Sequence, residues 1–180
     1  MTSKNFLAKQ LTETASIIEW AINLIPKNRL LEIPPHKDHP KADENMKRYF
    51  GSWSAYRLLF HLVFYEEKWA LPGLRYWLGE SLPPKSDMEK EENAWKNESQ
   101  KELNLEFLLN RFHTLRSKQI EAINKMKDKT WIEMKTDTYW GNATAEFSVS
   151  KTIQHTFEHG NKIMRIALHW DRLLTWLNQM

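Results

Sequence analysis

An all-α fold, a single four-helix bundle, is what this chain of 180 residues predicts. Four long segments carry apolar residues at spacings of three and four, the period of a helix that buries one face. Three polar connections separate these segments. Neither a strong strand pattern nor an internal repeat competes with the helical reading. At this length a chain normally forms one domain with a substantial core, so residues 1–180 read as one unit.

The first helix is expected over about residues 3–25, where Leu7, Leu11, Ile18, Ile22 and Ile25 recur on one side before Pro26 stops it. Residues 26–51 contain Pro34, Pro35 and Pro40 and read as an irregular connection. The second helix should start at Ser52 or Ser54 and run through Leu58, His61, Leu62, Tyr65 and Trp69. Pro72 and Gly73 should bend or end it before Leu78. Residues 79–100, with Pro83, Pro84 and a mixed-charge run, read as a surface loop or a short solvated helix. The third helix is expected over residues 102–127, with Leu105, Leu108, Leu109, Phe112, Leu115, Ile120 and Ile123 on one broad face. Residues 128–147, with Trp131, Tyr139, Trp140 and Gly141, suggest a turn or short extended pieces over the mouth of the core. The fourth helix should cover residues 148–177.

Composition narrows the function classes. There is no cysteine, which removes disulfides, thiolate metal ligands and a nucleophilic thiol of the chain's own. No segment is apolar for long enough to span a bilayer and no secretory leader pattern stands at the start, so a soluble, cytoplasmic protein without a membrane partner is expected. The net charge of +3 is spread along the chain rather than gathered in a stripe, which argues against a nucleic-acid partner. Nine tryptophans are many for this length. Most should fill the helical core, although Trp53, Trp69, Trp77, Trp140 and Trp170 could line a pocket. Five glycines leave little room for a phosphate loop or a dinucleotide fingerprint, and none is present.

The chemistry lies in the histidines. His155 and His159 stand one helical turn apart, about 40° from each other around the axis, on the same side as Ile166 and Trp170. A third, His61, stands in a similar setting: Ser54 precedes it by seven residues, as Ser148 precedes His155, and either serine could cap a helix. Buried imidazoles need partners for both ring nitrogens, and two rings stacked one turn apart satisfy each other poorly. A divalent ion held by His61, His155 and His159 resolves that conflict. The alternative is three structural histidines satisfied inside a metal-free core.

Glu158 lies about 60° to the other side of His155, where it could be a ligand, a partner of a ligand or a general base; a solvated flank residue is the competing reading. Lys162 falls close to the histidine line and could hold an anionic group or extend to solvent. His169 lies about 21 Å along the axis from His155 and is too far to join it. His36 and His39 have a metal-like spacing but sit in the proline-broken connection, and His113 reads as a helix-surface residue. Ile153, Phe157, Met164 and Leu168 form a second apolar stripe on the fourth helix, which suggests a homodimer contact.

A Trp53-Ser54 start leading to His61, followed by His155-Thr-Phe-Glu-His159 early in the last helix, resembles the DinB/YfiT-like superfamily. The resemblance covers nearly the whole chain. It implies an up-down-down-up four-helix bundle with one divalent metal on the three histidines, often dimeric. Some members are thiol-dependent S-transferases or isomerases that use bacillithiol, mycothiol or glutathione. The chain departs from many members after the helix-four pair, where further histidines and an Arg-Gly-Gln stretch are replaced by Gly160-Asn161-Lys162-Ile163-Met164-Arg165-Ile166.

Three functions stay open on these residues. The first is an enzyme acting on a small-molecule substrate, in which the metal lowers the pKa of a bound thiol or water and Glu158 moves the proton. Any thiol must then be a low-molecular-weight cofactor. The second is a non-catalytic metal- or ligand-binding stress-response module. The third is a metal-free interaction protein. Nitrogen ligands without sulfur suit zinc, nickel, cobalt, copper or iron, and ligand type alone does not choose between them; zinc or nickel is the expected ion.

Overall fold

The computed structural model describes residues 2–33 and 48–179. His36 and His39, with the prolines around them, lie outside the described residues. The chain is mostly helical: α1 (Ser3–Asn23), α2 (Ala55–Tyr65), α3 (Leu71–Arg75), α4 (Met88–Ser99), α5 (Leu105–Lys125), α6 (Asp128–Trp131) and α7 (Ala145–Gln179), with one hairpin of β1 (Lys135–Thr138) and β2 (Gly141–Ala143). Among the described residues no helix is long and apolar enough to cross a membrane.

Local chemistry accounts for the boundaries. Thr2, Ser54, Asp87 and Asn104 each accept a backbone N–H of the first turn of the helix that follows them. Ser148 does not play that part. Thr144 caps α7 by accepting from Phe147 N at 3.1 Å, so the helix begins a turn earlier than the sequence suggested. His61 therefore follows its cap by seven residues but His155 follows its own by eleven, and the two do not lie at matching depths.

Pro72 does not end the second helix. A π turn over Glu66–Ala70 joins α2 to α3, in which Pro72 occupies the first turn. Proline removes an N–H and crowds the carbonyl four residues back, and a local widening of the helix accommodates both effects. The helical run then stops at Gly79, whose φ of +93° is the left-handed conformation that glycine supplies.

Among the described residues the core has two apolar clusters. The larger brings together Ile18 and Ile22 of α1, Leu58, Leu59 and Leu62 of α2, Phe112 of α5 and Ile163 of α7. The smaller joins Leu11, Leu74, Trp77, Ile123, Trp131 and Val149 under the hairpin. Between them lies a buried polar layer of Glu66, Arg116, Gln119, Thr152 and Thr156. Arg116 Nη2 is 2.7 Å from Glu66 Oε1 and also donates to Thr156 Oγ1, while Gln119 Nε2 donates to Glu66 Oε2. Burial works against the charge of Glu66 and of Arg116 alike, and each is the main support of the other's ionised form.

The hairpin pairs Lys135 with Ala143 and Thr138 with Gly141, which leaves Tyr139 and Trp140 at its tip. Tyr139 Oη donates to Pro83 O at 2.8 Å, tying the tip to the segment before α4. On α7 the second apolar stripe divides: Ile153 is buried, whereas Phe157 and Leu168 are about half exposed.

α1 and α7 approach closely at Gly160. A Cβ there would stand 2.3 Å from Ile18 Cδ1. Gly160→Ala gains about 1 kcal/mol of helix propensity but overpacks the crossing by about 2 kcal/mol, a net loss of about 1 kcal/mol, so Tm should fall by about 2–4 °C. Ile18→Val, which deletes Cδ1, should reverse that loss in the double variant. Equal losses in both backgrounds would contradict this account of the crossing.

Candidate metal centre

Three helical residues from two elements meet beside the larger cluster. His61 comes from the middle of α2, and His155 and His159 from one turn of α7. The ring centroids are 4.9 Å apart for His61–His155, 4.4 Å for His61–His159 and 4.6 Å for His155–His159. One nitrogen of each ring lies within 4.8 Å of the others, and all three residues are half-buried. This is the grouping expected from the sequence.

Aromatic walls hold the rings in place. Tyr65 stacks on His155 with centroids 3.9 Å apart, and Trp53 stacks on His159 at 6.1 Å and tilts against His61 at 5.1 Å. Ser54, by capping α2, sets the start of the helix that carries His61 and Tyr65.

The carboxylate that touches the triad is Glu91, from α4. Its Oε1 is 2.8 Å from His61 Nδ1 and 2.6 Å from Arg57 Nη1. Arg57 is buried against the faces of Trp53, at 4.5 Å, and Trp95, at 5.1 Å. Burial alone would push the Glu91 carboxyl up, but His61 and Arg57 together hold it below the usual carboxylate range. An ionised Glu91 only accepts, so Nδ1 of His61 carries a proton, and in the neutral ring Nε2 is then the nitrogen with a lone pair for a metal. The acidic α4 is thus not merely a solvated helix: Glu91 is buried in the arrangement by which a carboxylate orients a metal-binding imidazole.

The triad fits a divalent metal. His61 Nε2 and His155 Nε2 face each other 3.0 Å apart. Imidazole nitrogens sharing a tetrahedral zinc are about 3.3 Å apart at ordinary bond lengths, so little movement separates the two arrangements. His155 Nδ1 and His159 Nδ1 are buried with no hydrogen-bond partner among the described residues. Such a cluster resists protonation. Burial first, then His159 and His61, lower the pKa of His155 to about 2, and burial, His61 and Lys162 lower that of His159 to about 3. Both rings are therefore neutral at ordinary pH, the form that binds a metal.

The other sequence candidates lie elsewhere. Glu158 is exposed, accepts from Gln154 Nε2 at 2.8 Å and faces a groove with Leu7, Ile153 and Phe157. Lys162 lies against Gly51, its charge felt at His159. His113 pairs with Glu19 at 2.8 Å, and His169 packs on Tyr49 at 6.0 Å. Of the five tryptophans considered for a pocket, Trp69 and Trp140 line a cavity of about 580 Å³ that opens beside His61 and His155. Trp53 braces the rings, and Trp77 and Trp170 are core. Glu91, Arg57 and Tyr65 escaped the sequence reading; only the Tyr65 position, four residues after His61 on the same face, carried a local signal.

The depressed histidine pKa values predict acid sensitivity of the metal-free protein. A histidine with a pKa near 6.5 when unfolded and about 2 or 3 when folded takes up a proton on unfolding throughout that interval, so stability falls as pH drops below about 6.5. Between pH 7 and 4.5, metal-free His155→Gln/His159→Gln should lose less Tm than the parent. Parallel Tm–pH curves would contradict the assigned desolvation.

Residues 10–163 match the family model of the DinB superfamily. No curated protein and no solved structure gives a significant match. The family match spans most of the 180 residues and includes all three histidines, and the chain therefore belongs to the DinB superfamily.

Proposed function

We propose that the protein is a divalent-metal protein whose His61, His155 and His159 hold one ion and whose cavity presents a low-molecular-weight thiol to a small-molecule acceptor. The observation that carries this reading is the convergence of three imidazoles, one of them oriented by Glu91, at the edge of a cavity of about 580 Å³. A bound divalent metal supplies Lewis acidity, which lowers the pKa of a thiol or water placed beside it. The chain's own residues bind and orient. Glu91 fixes the His61 tautomer, Tyr65 and Trp53 hold the ring planes, and Phe64, Trp69 and Trp140 keep water from one side of the cavity.

One observation favours thiol transfer over hydrolysis. Among the described residues Glu91 is bound by His61 and Arg57, and Glu158 is exposed, accepts from Gln154 and is not part of the cavity lining. A thiol, with an ordinary pKa near 8.5, needs far less help to ionise than water does. A non-catalytic ligand-binding module is the second reading, favoured by the same lack of a general base.

We further propose the up-down-down-up arrangement of a single bundle. Its support is the order of contacts along the helices. Ile18 meets Gly160 and Leu24 lies by Trp170, which suits a parallel α1 and α7; Tyr56 lies near Asn104 and Glu66 by Arg116, which suits a parallel α2 and α5. Lys4 reaches Met126 and Glu19 reaches His113, which suits an antiparallel α1 and α5.

The test is spectroscopic and kinetic. Cobalt-loaded protein should gain a thiolate-to-cobalt absorption on addition of bacillithiol, mycothiol or glutathione, and should accelerate transfer of that thiol to monochlorobimane. His155→Ala should lose both. A cobalt site that binds none of the three thiols, with no turnover, would contradict thiol transfer and leave the binding-module reading.

A further inference from the structure

The cavity beside the triad has two unlike ends. At the inner end stand His61, His155 and Glu91. From there an aromatic wall runs outward: Tyr65 against His155, Trp69 stacked 6.4 Å from Tyr65, and Trp140 5.9 Å from Trp69. Phe64 and Met88 complete the apolar lining. Two lysines share the lining, the exposed Lys85 and the half-buried Lys151. Lys85 Nζ sits 4.9 Å above the Trp69 ring, and Lys151, one turn before His155, donates only to the neutral Gln154 Oε1 at 2.9 Å. Among the described residues neither has a carboxylate within salt-bridge distance.

The acidic residues of the lining do not offset these charges. Asp87 is committed to α4, where Oδ1 accepts from Lys90 N at 2.8 Å and Oδ2 lies 3.9 Å from Lys90 Nζ. Glu91 is neutralised by Arg57 and shared with His61. The lining is therefore electropositive over an aromatic body, and cations beside a low-dielectric wall attract an anion more strongly than isolated surface lysines do.

We propose that this cavity takes an amphiphilic organic anion, its apolar body along Tyr65, Trp69 and Trp140 and its carboxylate or sulfonate between Lys85 and Lys151. The histidines line the same cavity, and the reacting atom of such a ligand belongs beside them. This deepens the functional reading above and rests on it only in taking the cavity as the substrate's place. The lysines act as specificity determinants: they select charge, while the aromatic wall selects a flat or extended apolar body.

Three probes of one shape test it: 2-naphthylacetate, 2-naphthaleneethanol and 2-naphthylethylammonium, titrated by tryptophan fluorescence at low ionic strength into metal-loaded and metal-free protein. The acid should bind about tenfold tighter than the alcohol and the ammonium weakest. Lys85→Met and Lys151→Met should each weaken acid binding a few-fold, and the double variant should bring acid within about twofold of alcohol without changing alcohol affinity. The preference should persist in metal-free protein. Equal binding of acid and alcohol would overturn the proposal. So would a preference that survives the double variant but disappears with the metal, because the anion would then sit on the ion. Metal content, measured separately, tells whether the metal reading has failed instead.

Discussion

An imidazole shielded from solvent has two polar nitrogens and little water to satisfy them, and this protein packs three half-buried rings within 5 Å of one another. One proton can be shared across the 3.0 Å contact between His61 and His155, but protonating every ring would place several positive charges together in a desolvated site. The rest of the local structure follows from that constraint. Glu91 takes one nitrogen of His61, Tyr65 and Trp53 cover the ring faces, and Arg57 compensates the buried carboxylate. A cation held by one lone pair from each ring would relieve the competition between the facing Nε2 atoms of His61 and His155.

The site is seated on a second polar device. Glu66, Arg116 and Gln119 form a buried layer between the two apolar clusters, joined through Thr156 to the turn of α7 that carries His155. A buried ion pair is a costly way to gain stability, since both charges lose their hydration. Its value here is geometric: Thr156 is the neighbour of His155, and a fixed partner for its hydroxyl restrains the rotation of α7 about its axis. The π turn that accommodates Pro72 begins at Glu66, so the distortion of α2 and the polar layer occupy one level of the bundle.

The helices and the triad were legible because both are written locally. Apolar spacing located α1, α5 and α7 to within a few residues, and the turn separating His155 from His159 placed both rings on one side. What was not legible depended on long-range pairing. Glu91 sits in an acidic, low-hydropathy segment that reads as solvated, and only its encounter with Arg57 and His61, thirty or more residues away in sequence, explains its burial. Glu158 looked favourable by angle alone, but the open side of α7 places it in solvent with Gln154. Ser148 mimicked a cap because its spacing to His155 repeats that of Ser54 to His61; the cap is Thr144, directly after the hairpin, whose fold decides where α7 can begin. Family membership adds the expectation of a metal but not the identity of the acceptor, which the cavity's lining describes better than any motif does.

The measurement that bears most directly on this account is the metal content of protein purified without an affinity tag, determined by elemental analysis alongside His61→Ala and His159→Ala. The account predicts about one divalent ion per chain in the parent and loss of that ion in both variants, with helical content retained. A parent that takes up no metal even after incubation with zinc or nickel would contradict it. Metal content unchanged in either variant would do the same.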